Sequence, residues 1–167
     1  MNCKKLKVEF AEEGIIVKSS FWEVVHDPRK GGCITSIRFL HGSGENVLKS
    51  PIASYFGSYL DVLNDNTAIR VIDRDGFVEV EACGRLIDEN SYTVSDIDYA
   101  YTYKYSEGYV KIVQKYTFEK PVADVKRVGI GCMNLTPRFK YFAARPSHVR
   151  VDKPYGNCAA VWGGSSF

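Results

Sequence analysis

Residues Ala68-Ile69-Arg70-Val71-Ile72-Asp73-Arg74-Asp75-Gly76-Phe77-Val78-Glu79-Val80-Glu81-Ala82-Cys83 decide the fold class. Two runs rich in β-branched and apolar residues flank Asp73-Arg74-Asp75-Gly76. The second run alternates apolar with acidic side chains. A period of two places alternate side chains on opposite faces of a strand, and Asp-Gly between two such runs signals a hairpin. Working outward, the pattern recurs. Phe21 to His26 and Cys33 to Leu40 flank Asp27-Pro28-Arg29-Lys30-Gly31-Gly32, a loop of strong turn residues. Tyr99 to Tyr105 and Tyr109 to Phe118 flank Ser106-Glu107-Gly108. Gly14 to Lys18 precedes the first hairpin. Val125 to Leu135 is strand-like, with Gly129 and Gly131 signalling a bulge. Val149 to Val151 and Cys158 to Trp162 close the series. The segment from Ile52 to Asn66 reads as a loop or a short helix. At least eight short strands separated by turns predict an all-β, antiparallel β-sandwich or barrel, and residues 1–167 read as one domain.

Composition narrows the function classes. Of 167 residues, 45% are hydrophobic and 25% charged, which fits a globular chain rather than a disordered one. No 18-residue apolar run predicts a membrane span. The net charge of +2 gives no electrostatic bias towards nucleic acid or an anionic membrane. Arg138, Lys140, Arg145, Arg150 and Lys153 mix with Phe139, Tyr141 and Phe142 as in single-strand binders, yet no nucleic-acid-binding signature accompanies them. The five cysteines are spread without a C-x-x-C pair, which argues against a zinc ribbon and for reduced thiols. With no apolar run after the basic start of the chain, a cytoplasmic location is expected.

Trp22 to Ile37, continued by Gly44-Glu45-Asn46-Val47-Leu48 and Tyr55-Phe56-Gly57, is similar to the start of galactose mutarotase-like domains. The shared form is an apolar strand, Asp-Pro, Gly-Gly, then an apolar-x-Ser-apolar strand. The resemblance covers about the first third of the chain and implies a supersandwich, here incomplete or shortened, whose concave sheet faces carbohydrate. It transfers no catalytic residue. Where the epimerases carry Gly-Arg and Asn-Arg segments, this sequence has Ser58 to Asn64.

The candidate ligand surface is Tyr99-Ala100-Tyr101-Thr102-Tyr103-Lys104-Tyr105, in which four tyrosines share one strand face. A three-residue loop at Ser106-Glu107-Gly108, with Gly108 left-handed, would pair Tyr103 with Lys111 and Tyr99 with Lys115. Tyr99, Tyr101, Tyr103 and Tyr105 would then line an exposed face with Lys111 and Lys115. Such a face suits a sugar, because pyranose C–H faces stack on rings and ammonium groups meet uronates. A two-residue loop would instead pair the tyrosines with Val110 and Ile112 and bury them.

Among the histidines, His148 between Arg145 and Arg150 is the weak catalytic candidate, because imidazole suits acid–base work near neutral pH. His26 reads as a turn residue and His41 as the end of a strand. The acidic residues at Asp61, Asp65, Asp73 and Asp75 read as turns and solvated loops. No metal site or cofactor is expected. The sequence therefore predicts carbohydrate recognition, as an accessory module or part of a longer carbohydrate-active enzyme. The alternatives are a sugar epimerase, glycosidase or lyase, and a structural or protein-interaction sandwich.

Overall fold

The computed structural model describes residues 6–121 and 127–136, together with the backbone of 141–144 and 147–150. The chain is all-β and antiparallel, and its two main sheets pack as a sandwich. One sheet contains β1 (Lys7–Ala11), β2 (Gly14–Lys18), β3 (Trp22–Asp27) and β4 (Cys33–Phe39), in that order. The other contains β5 (Ala53–Phe56), β6 (Tyr59–Leu60), β7 (Ala68–Arg74), β8 (Phe77–Asp88), β9 (Val94–Tyr105), β10 (Val110–Phe118) and β11 (Val128–Cys132). Its order is β10-β9-β8-β6-β5-β11, and β7 pairs with β8 beside β6. A separate hairpin joins β12 (Tyr141–Ala144) to β13 (Ser147–Arg150).

The large sheet curls until strands far apart in its order touch. The Phe56 ring of β5 lies 4.9 Å from Tyr116 and 5.3 Å from Phe118 of β10, centroid to centroid. Inside the curl sits one core shared by both sheets. Val17, Val24, Cys33 and Ile34 of the small sheet meet Val78, Val80, Ala82, Leu86 and the four tyrosines of β9.

The hairpin signals read from the turns are realised. Arg74 pairs with Phe77 around Asp75-Gly76, and Gly129 and Gly131 mark a register shift against β5. The segment from Ile52 to Asn66 is a correction. It holds β5 and β6 rather than a helix, because alternate residues Ser54 and Phe56 point inward and are buried. The expected strand at Cys158 to Trp162 lies outside the described residues.

The Asp27 to Gly32 turn explains how the two sheets are joined. Asp27 Oδ1 accepts from Arg29 N–H at 2.9 Å and caps a short 3-10 turn, Pro28–Lys30. Gly31 and Gly32 then adopt φ of 68° and 65°. Gly31 N–H donates to the Asn64 carbonyl at 2.8 Å. A Cβ on Gly32 would sit 2.5 Å from Ala82 Cβ of β8, and one on Gly31 would strike the Asp61 carbonyl. Only glycine lets this turn lie against the large sheet.

That geometry predicts a contrast. Gly57 has φ of 63° but open space around its Cβ direction. Gly57→Ala should cost only backbone strain, about 1 kcal/mol, whereas Gly32→Ala adds steric overlap and should cost at least about 2–3 kcal/mol. Urea denaturation of both variants measures the difference, and equal losses would show that the turn does not press on β8.

Candidate functional site

The tyrosine hairpin does not take the three-residue-loop register. Ser106 N–H donates to the Tyr109 carbonyl at 3.0 Å, which leaves Glu107-Gly108 as a two-residue turn. Gly108 is not left-handed. Tyr105 pairs with Val110, Tyr103 with Ile112, Tyr101 with Gln114 and Tyr99 with Tyr116. The four tyrosines are 0–2% exposed. Lys111 and Lys115 lie on the opposite, convex face, paired with Lys104 and Ala100. Magnitudes explain the outcome. Burying a large side chain is worth roughly 1.5–3 kcal/mol, so four rings outweigh a turn preference on the order of 1 kcal/mol. Tyr99, Tyr101, Tyr103 and Tyr105 are therefore core residues rather than an exposed face.

The hydroxyl groups of Tyr99, Tyr101 and Tyr105 make hydrogen bonds in the core. Tyr101 Oη donates to Asp61 Oδ2 at 2.7 Å and lies 3.0 Å from Tyr116 Oη. Asp61, expected in a solvated loop, is fully buried. Its carboxylate also accepts from Ser54 N–H at 2.9 and 3.0 Å and from Val62 N–H at 2.7 Å. Burial raises its pKa above the ordinary carboxylate value, while these donors oppose the rise. Burial pushes Tyr116 up to about 12 and drives Tyr101 higher still. Ser54 Oγ accepts from Gly131 N–H at 3.0 Å and from Gln114 Nε2 at 3.3 Å, tying β11 and β10 to β5.

His26 is also corrected, from turn residue to fully buried core residue of β3. Its Nδ1 lies 2.9 Å from the Gly32 carbonyl, which can only accept, so Nδ1 carries the proton. Nε2 is then the acceptor for Tyr105 Oη at 2.5 Å. The ring packs edge-on to Tyr103 at 4.5 Å. Burial lowers its pKa from 6.5 to about 4. This imidazole holds two sheets together and meets no solvent. His41 is exposed and packs beside Phe21. His148 pairs with Ala143 in the terminal hairpin. Its side chain lies outside the described residues, as do those of Arg138, Lys140, Arg145 and Lys153.

With the core filled, the accessible chemistry lies on the convex face. β8 changes neighbour partway along its length. Cys83 is opposite Ala68 of β7, and Ile87 is opposite Leu60 of β6. Between them, Asn64 Nδ2 reaches across to the Arg85 carbonyl at 2.9 Å. The fork opens a cleft of about 730 Å³. Its floor holds the small residues Cys83, Gly84 and Ala100. Asn64, Asp65 and Asn66 line one side, Lys115 and Thr117 of β10 the other, and Arg85 and Asp98 lie between them. Arg85 Nε binds Asp98 Oδ1 at 2.9 Å, and the guanidinium also pairs with Glu119. Lys115, Asp65 and Thr117 have no side-chain partner among the described residues. The Cys83 thiol is free and exposed, Cys33 is free and buried, and Cys132 is free and half-buried. No group of three His, Cys, Asp or Glu side chains among the described residues is placed to hold a metal ion. None of their helices is long and apolar enough to cross a membrane. Sequence reading named Lys115 for a different face and missed the cleft. Its one local signal was the Asn64-Asp65-Asn66 run. Comparison with known protein families, characterised proteins and solved structures finds no match to this chain.

The His26 environment makes stability depend on pH. The folded pKa is depressed, so its contribution is full above pH 6.5 and lost as pH falls to about 4, a change of about 3 kcal/mol. Asp61, with its raised pKa, acts with the opposite sign. Comparison with His26→Gln isolates the histidine. The stability difference between wild type and variant should shrink by about 3 kcal/mol from pH 7 to pH 4, measured by urea denaturation. A constant difference would contradict a buried, neutral His26.

Proposed function

We propose that this chain recognises carbohydrate, as an accessory module or as part of a carbohydrate-active enzyme of galactose mutarotase-like type. The observation that carries the reading is the convex cleft, where amides, carboxylates, a guanidinium, an ammonium and a hydroxyl surround small floor residues. Sugars need this mixture, because each hydroxyl donates and accepts. Ile87 and Val94 add apolar lining for C–H faces. The resemblance of Trp22 to Ile37 to mutarotase-like domains supports carbohydrate recognition as a class; it implies a concave site, so the convex site rests on the cleft alone. The epimerase, glycosidase or lyase alternative rests on His148, whose side chain is outside the described residues.

A second reading, a protein-interaction sandwich, is favoured by one observation. Val110, Ile112 and Phe118 of β10 and Val128 and Ile130 of β11 are each 38–56% exposed at the two ends of the curled sheet. Such a strip suits a partner surface.

Glycan-array screening followed by calorimetry separates the two. Ala100→Leu fills the cleft floor from an exposed strand position without entering the core. Saturable glycan binding that weakens at least about tenfold in this variant, or about 1.4 kcal/mol, is the expected result. Absence of glycan binding by folded wild type, with concentration-dependent association in sedimentation, would replace carbohydrate recognition with the interaction reading.

A further inference from the structure

We infer that the convex cleft takes an acidic sugar, with Lys115 as the contact for its carboxylate; this deepens the carbohydrate reading above and rests on it. Two cations line the cleft, and they are not equivalent. Arg85 is held by Asp98 and Glu119, so its charge is already matched. Lys115 has no partner among the described residues, and its cross-strand neighbour is Ala100, which offers no charge. Lys115 is exposed at the edge of the cleft, so its unmatched ammonium beside the small-residue floor is free to meet an anion that enters it.

The opposite wall explains why that anion is a sugar acid rather than a bare ion. Asp65 is a second unmatched charge, and it repels anions. A carboxylate wall tolerates a negatively charged ligand only where that ligand presents hydroxyl donors to it. Lys115 stands two strand spacings from Cys83, on the far side of Ala100, a distance of about 10 Å. A ligand spanning both walls therefore carries a carboxylate at one end and hydroxyl groups at the other. Thr117 beside Lys115, and Asn64 and Asn66 beside Asp65, supply the remaining donors and acceptors. A uronate disaccharide or trisaccharide has this arrangement, whereas phosphate, sulfate or a fatty acid does not.

The test uses calorimetry with di- and trisaccharides of glucuronate, galacturonate and mannuronate, each beside its neutral counterpart, on wild type, Lys115→Gln and Asp65→Asn. Both side chains are exposed or cleft-lining, so both variants should unfold like wild type. One uronate should bind at least about tenfold more tightly than its neutral counterpart, with affinity falling as salt rises. Lys115→Gln should erase that preference, and Asp65→Asn should weaken the neutral sugar more than the uronate, because it removes a hydroxyl acceptor and a repulsive charge together. Cys83 supplies an independent reading of location, because its free thiol lines the same floor. The uronate should slow alkylation of Cys83, followed by peptide mass spectrometry. Equal binding of acidic and neutral sugars, with cleft protection retained, would overturn the acidic ligand and leave carbohydrate recognition standing. A uronate preference that survives Lys115→Gln, or leaves Cys83 unprotected, would overturn this site. Binding of neither class would overturn both readings together.

Discussion

The structure depends on burying tyrosine rings whose hydroxyl groups must still find partners. A buried hydroxyl without a hydrogen bond costs about 1–3 kcal/mol, enough to cancel much of what its ring gains on burial. β9 places four rings in the core, and residues distant in sequence meet the hydroxyl groups of three of them. Asp61 and Tyr116 receive Tyr101, His26 receives Tyr105, and Thr67 lies 2.8 Å from Tyr99 Oη. These contacts join β9 to β3 of the small sheet and to the segment between β6 and β7. The same segment lies under the Gly31-Gly32 turn, where Asn64 and Asp61 meet its backbone. The polar network and the two-glycine turn are thus parts of one joint between the sheets.

That joint also determines where a ligand can go. The inner face of β9 is filled by its own aromatic rings, and the neutral, enclosed His26 is removed from acid–base chemistry with solvent. The segment holding Asp61 runs between β6 and β7, and its passage makes β8 fork between two neighbours. The fork leaves small residues uncovered on the convex side, and Asn64 both seals the exposed Arg85 carbonyl and rims the cleft. The residue series that completes the core therefore also builds the outward-facing site.

Strand content was legible because its signals are local. Asp75-Gly76, Asp27-Pro28 and Gly31-Gly32 announce their hairpins within a few residues, and Gly129 with Gly131 announces a bulge. The register of the tyrosine hairpin was not legible from its turn. Gly108 suited a left-handed loop position, and only burial against the small sheet selects the shorter turn. The length of β8 and β9 was hidden for a similar reason, since Gly84 interrupts the alternation of β8 yet the strand runs to Asp88. Asp61 resembled any loop carboxylate because Tyr101, the partner that explains its burial, is 40 residues away. The cleft was still less visible, since it arises from a change of strand neighbour and has no motif of its own. Lys115 was expected beside the tyrosines and instead pairs with Ala100 on the other face, because a one-residue change of register reverses every side chain.

The packing of the whole molecule turns on the tyrosine stripe of β9 being core. Tyrosine nitration of the native protein, quantified peptide by peptide in mass spectrometry, tests it directly. Tyr92 and Tyr109 are 73% and 62% exposed and serve as internal references. Tyr92 and Tyr109 should nitrate rapidly, with Tyr99, Tyr101, Tyr103 and Tyr105 protected until urea unfolds the chain. Nitration of Tyr101 or Tyr103 in the native protein at the rate of Tyr92 would contradict it and return the stripe to the surface.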